Sequence, residues 1–171
     1  MANTYTLIQS VTVGSGGASS IEFGSIPQTY TDLHLVISGR SVLAANATAI
    51  YMRLNNDTGS NYSRIRLHGN GSGTLNGSST DNSLIMSVFL DGASSTASVF
   101  SNSSVYIPNY AGSTQKSIST DSVTENNATE AYTTFQAGRW TGTAAITSIT
   151  MLGDANFAQY TSASLYGIKN S

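Results

Sequence analysis

Apolar and polar residues alternate along most of this chain. The period is two, the signature of a half-buried β-strand. Tyr5, Leu7, Val11 and Val13 predict one face of a first strand, closed by the turn Gly14-Ser15-Gly16-Gly17. Ile21 and Phe23 predict a short second strand. It ends at Ile26-Pro27, because proline has no N–H to give to a ladder. Leu33, Leu35 and Ile37 alternate with His34, Val36 and Ser38; Ile50, Met52 and Leu54 alternate with Tyr51 and Arg53. Ile65 and Leu67 alternate with Arg64, Arg66 and His68. The run from Leu84 to Leu90 is nearly continuous, as in a strand covered on both faces. Val99 to Ile107, Ile118, Tyr132 to Phe135, Ile146 to Leu152 and Ala163 to Ile168 supply the rest. The count is about ten or eleven short strands.

Helical patterning is weak. No window of about a dozen residues keeps apolar side chains at i, i+3, i+4 and i+7. The best helix candidate, Val42 to Ala49, is short and interrupted by asparagine. Residues 69–83 are Gly, Ser, Asn and Thr with Leu75 almost alone among them, and they predict a flexible polar loop. With no internal repeat and no linker, the 171 residues read as a single domain, 1–171. The expected architecture is all-β, an antiparallel β-sandwich of jelly-roll type. Its expected core includes Leu33, Leu35, Ile37, Leu84, Met86, Val88, Ile149 and Met151.

Composition narrows the function. Charged residues are 9% of the chain, the formal net charge is −2, and there is no cysteine. Disulfides and thiolate metal sites are therefore excluded. Nucleic-acid binding needs clustered Lys and Arg, and the densest basic group is Arg64, Arg66 and His68. Their alternate spacing puts them on one face, which reads as a solvated face or as a basic interface for another protein. The N-terminus has no basic region followed by an apolar run, so no signal peptide is expected. No apolar stretch approaches the roughly 18 to 20 residues of a membrane span.

Candidate chemistry is thin. Asp32 and His34 share a strand face, but no Gly-x-Ser-x-Gly elbow accompanies them, so His34 reads as a satisfied strand residue. Glu22, Glu125 and Glu130 have nothing that pairs them as catalytic carboxylates. Asn55, Asp57 and Gly59 faintly resemble a calcium loop, yet the glycine is misplaced and no glutamate closes it, which favours a plain turn. Gly14 to Gly17 and Gly69 to Gly73 precede no helix and cradle no phosphate. Asn-x-Ser/Thr triplets at Asn46, Asn56, Asn61, Asn70, Asn76, Asn102 and Asn127 follow from composition. Among the aromatics, Tyr110 and the pair Arg139-Trp140 are candidate interface residues, against the plainer reading of a lone Trp as core or rim packing. No catalytic residue, cofactor or metal is expected.

A resemblance adds to this. The segments Gly24 to Leu33, Arg53 to Ser63, Tyr106 to Ser113, Glu125 to Thr129 and Thr143 to Thr150, with the ending Ser164 to Ile168, run over nearly the whole chain. Together they resemble small virion structural proteins of tailed bacteriophages, especially marine and cyanobacterial phages. The resemblance implies a β-sandwich on the virion's capsid surface, a decoration or cement protein whose partner is the major capsid protein. It implies a homo-oligomer, a trimer, with no nucleic-acid or membrane partner. The rival expectation is a carbohydrate- or receptor-binding module of a phage tail or fibre, since jelly rolls also serve as lectin domains.

Overall fold

The computed structural model describes residues 4–70, 73–126 and 131–169, with the side chains of 74–76, 78–82 and 86–87 outside that set. Twelve strands and no helix occur among the described residues. They are β1 (Tyr5–Thr12), β2 (Ala18–Phe23), β3 (Asp32–Gly39), β4 (Ala47–Leu54), β5 (Tyr62–Gly69) and β6 (Thr74–Asn82). Then follow β7 (Ile85–Asp91), β8 (Ser101–Ile107), β9 (Lys116–Glu125), β10 (Ala131–Trp140), β11 (Ile149–Phe157) and β12 (Ser162–Ile168). Two antiparallel sheets stack as a jelly-roll-type sandwich: eight strands in the order β1-β12-β3-β8-β9-β10-β5-β6, and four in the order β2-β11-β4-β7.

The core lies between the sheets. Leu33, Leu35, Ile37, Val105, Ile107 and Leu165 point in from the large sheet. Phe23, Ile50, Met52, Val88, Ile149 and Met151 meet them from the small one. Of the expected core, Leu84 is the exception: it is half-buried in the bend before β7. The side chain of Met86 lies outside the described residues, as does Leu75. Gly138 of β10 leaves room for the end of the Ile85 side chain from β7, which would have to shift if a Cβ stood there.

Two bulges decide which residues face inward. In β1 the register with β12 shifts between Leu7 and Gln9. Ile8 and Val11 therefore pack on the core, while Tyr5 and Leu7 stand 52% and 53% exposed on the opposite side. The expected common face of Tyr5, Leu7, Val11 and Val13 is thus broken, because one inserted residue reverses the parity of everything before it. In β7 the partner of Tyr51 is Met86 and that of Ile50 is Val88, so Ile85, Val88 and Leu90 all reach the core. Phe89 turns instead to the large sheet, where its ring lies 5.1 Å from that of His68.

Two more expectations are corrected. The segment expected as a loop at 69–83 holds β6, the edge strand of the large sheet, paired along β5. An edge strand needs backbone partners on one side only, so Ser, Thr, Asn and Gly can build it without apolar alternation. Val42 to Ala49 is not helical; it is a bend leading into β4.

Candidate functional site

The eight-stranded sheet is twice as wide as its partner. The small sheet ends at β7, which lies over β8, β9 and the margin of β10 and β5. Beyond β7 the inner face of the large sheet meets no further strand of the small sheet among the described residues, and its side chains change character there. Arg64, Arg66 and His68 point inward from β5, with Tyr132, Thr134 and Gln136 from β10 on the same face. His68 is only 7% exposed. Its Nδ1 lies 2.9 Å from Thr134 Oγ1 and its ring stacks on Tyr132 at 5.3 Å. The Arg66 guanidinium sits 5.6 Å from the Phe89 ring centre, and Arg64 donates to Gln136 Oε1 at 3.4 Å. Burial, then the nearby Arg66 charge, lowers the pKa of both His68 and Arg64. The solvated-face reading of this basic triplet fails for His68, which is buried, while Arg64 and Arg66 are half-buried beside it. The three residues line the interior side, and their apolar neighbours face out.

The outer face of the same strands is apolar. Ile65 is 67% exposed, Leu67 53%, Phe135 58% and Val123 46%. The ladder sets them side by side: Leu67 opposes Phe135, and Ile65 opposes Ala137. Ile65, Leu67 and Phe135 border an open groove of about 440 Å³ with Asp121 at its margin. On β9 the inversion sets in after Ile118, which is still core. Thr120, Ser122 and Thr124 are buried while Val123 is exposed. Among the described residues the buried hydroxyls of Thr120, Thr124 and Ser103 find no hydrogen-bond partner, and each group left so costs about 1–3 kcal/mol. Packing within one chain would favour the reverse arrangement.

A second outward feature lies at the far margin. Tyr5 is 5.8 Å from His34 and 6.3 Å from Tyr166, and His34 is 6.4 Å from Tyr106, ring centre to ring centre. His34 Nε2 lies 2.8 Å from Ser104 Oγ. Asp32 accepts from the Tyr106 hydroxyl at 2.7 Å and from the Asn109 N–H at 2.8 Å. The Asp32 bond pushes the Tyr106 hydroxyl up to about 12. Asp32 and His34 thus share a face, as expected, and each is occupied by a structural partner.

The candidate interface residues separate. Arg139 is exposed at the outer face of β10. Tyr110 is 0% exposed and Trp140 3%, so neither offers surface to a partner. The Tyr110 hydroxyl donates to the Pro27 carbonyl. Trp140 stacks on Tyr62 at 6.5 Å and donates from Nε1 to Asp57 Oδ2 at 2.7 Å. Asp57 also accepts from the Gly59 N–H at 2.8 Å and from Asn61 Nδ2 at 2.8 Å. These donors, Trp140 first, hold its carboxyl below the usual range. The carboxylate that faintly suggested calcium is engaged by N–H groups and pins a turn. Among the described residues no group of three His, Asp or Glu is placed to hold a metal. Glu22 and Glu125 are exposed on separate sheets, and Glu130 lies outside the described residues.

The exposed apolar residues were missed by strand-by-strand alternation, which turns the apolar members inward. One signal was available. Phe135 and Trp140 are an odd number of residues apart on one strand, so they must face opposite sides. Only one of the two could be core.

No known protein family matches the chain, and no curated protein does. Among solved structures it is similar to an exo-inulinase from Aspergillus awamori, with TM-score 0.45 and 12% identity. That match covers 96% of this chain and 29% of the inulinase, so the chain spans under a third of that enzyme. A galectin from Caenorhabditis elegans gives TM-score 0.30 and 11% identity, covering 98% of this chain and 96% of the galectin. Likeness at this level carries no argument about activity or ligand.

Proposed function

We propose that the protein is a non-enzymatic virion structural protein, a capsid decoration protein of a tailed bacteriophage that binds and stabilises the major capsid shell. The observation that carries this reading is a pair of apolar patches on the outer face of the large sheet, Ile65, Leu67 and Phe135 toward one margin and Tyr5 and Leu7 on edge strand β1, with Ser164, Ser104 and Asp121 on the strands between them. A surface like this suits a protein whose work is burial against neighbours, and the resemblance of its segments to phage virion proteins supplies the setting. The mechanism is interface burial. Each homo-oligomer bridges several shell subunits through strand edges and loops, and several modest contacts made together give high avidity. Unpaired β-edges are templates for such pairing, and edge strand β6 carries a single charged residue, Asp81.

The aromatic row Tyr5, Tyr166, His34 and Tyr106 favours a second reading, a carbohydrate- or receptor-binding module of a tail or fibre, because such rings stack on sugars. Copy number in purified particles separates the two. Quantitative mass spectrometry against the major capsid protein should give a stoichiometry of hundreds of copies, with labelling on the head. A few dozen copies on the tail would sink the decoration reading, and absence from particles would sink both.

A further inference from the structure

We infer that the outer face of β9, β10 and β5 is the interface of a two-fold homodimer. The inference goes beyond the virion reading: it assigns Ile65, Leu67 and Phe135 to self-association and leaves Tyr5 and Leu7 on β1, with the strand edges, for a shell. Its starting point is the inversion: β9 buries the Thr120 and Thr124 hydroxyls without a partner among the described residues, and the three strands expose Ile65, Leu67, Phe135 and Val123. Nothing in the fold requires the exposed set, since the inner face alone packs the sandwich.

The arrangement of charge commits the face to a second copy of the same chain. Ala137 lies opposite Ile65 on one side and Ser119 on the other. Two residues along β10 in one direction is exposed Arg139. Two residues in the other is Phe135, whose β9 neighbour is exposed Asp121. Arg139 and Asp121 are therefore displaced equally, by roughly 7 Å along the strand, on opposite sides of the Ala137–Ile65 row. A two-fold axis in the interface plane, running across the strands through that row, lays each Arg139 over the Phe135–Asp121 row of the other copy. Both ion pairs form at once, as an isologous interface requires. The arginine stem covers the Phe135 ring, and Ile65 meets its own symmetry mate at the centre. The apolar groove of about 440 Å³ lies under that contact. A partner of another kind would have to supply both a matching cation and a matching carboxylate; this surface already holds both.

The test is analytical ultracentrifugation of the full chain and four variants. Wild type should sediment as a dimer. Asp121→Arg and Arg139→Asp should each weaken association by about tenfold or more, as expected for close charge pairs. The double reversal, Asp121→Arg with Arg139→Asp, should recover most of the loss. Phe135→Ser should be monomeric with an unchanged circular dichroism spectrum and melting curve in its monomer. Wild type that stays monomeric up to about 200 µM, well above micromolar affinity, overturns the inference. So does a trimer, a dimer indifferent to all four variants, or a double reversal as weak as the single ones.

Discussion

Trp140→Phe tests whether the turn at Asp57 is held from across the sheet. The indole N–H donates at 2.7 Å to Asp57 Oδ2, and phenylalanine keeps a ring but removes that donor. A hydrogen bond to a charged group contributes about 1.5–3 kcal/mol. Asp57 is half-exposed and keeps the Gly59 and Asn61 donors, so solvent screening lowers the expected loss to about 1–2 kcal/mol. The sign with pH follows from the depressed carboxyl of Asp57, whose first cause is this bond. Its stabilisation is complete above the unfolded value of about 4 and is lost as pH falls through the lower folded value. The gap between wild type and Trp140→Phe should be full at neutral pH and shrink on acidification below about pH 4. Trp140 is the chain's single tryptophan, so urea titrations should be followed by far-ultraviolet circular dichroism. Asp57→Asn alone and combined with Trp140→Phe completes a double-mutant cycle. An equal gap at neutral and acid pH, with no coupling in the cycle, would refute the reasoning.

Other perturbations probe the core. Leu35→Ala should cost about 2–5 kcal/mol in a reversible urea titration, since Leu35 is 1% exposed and sits between Leu165 and Val105. Gly138→Val should cost about 1–3 kcal/mol or more by driving a side chain into Ile85, read as a lower urea midpoint. Lys116 is 1% exposed and its ammonium donates to the Gly112 carbonyl at 2.7 Å and to that of Thr114. Lys116→Met should therefore cost roughly 1–3 kcal/mol through the carbonyls left without a donor, measured the same way.

The centre of the fold was legible because its strands are regular. Leu33, Leu35 and Ile37 run without a bulge against β12 and β8, so alternation alone assigns their face. The first strand was not, because the register shift at Ile8 depends on pairing with β12, at the other end of the chain. Strand β6 was invisible because an edge position asks for backbone pairing and not for apolar side chains. The exposed apolar face was hidden for a deeper reason. Assigning Ile65 and Leu67 to the core follows only if every strand of a sandwich has a partner layer. Here eight strands face four, and Ile65 and Leu67 lie on a strand that the smaller sheet only touches at its margin. Of the aromatics singled out, Trp140 and Tyr110 went to the interior while neighbouring Arg139 stayed outside, as strand parity demands for Arg139 and Trp140.

The central claim is that the outer apolar face of β9, β10 and β5 is complete only when covered. Association that stabilises the native state raises the unfolding midpoint with protein concentration. The most direct measurement is therefore the thermal midpoint of wild type and of Phe135→Ser over about two decades of concentration. Phe135 is 58% exposed, so its replacement should change monomer stability by less than about 0.5 kcal/mol. The account predicts a midpoint that climbs with concentration in wild type and stays flat in the variant, the two converging at high dilution. A wild-type midpoint that does not move with concentration, or a variant that climbs in parallel with it, would contradict the claim.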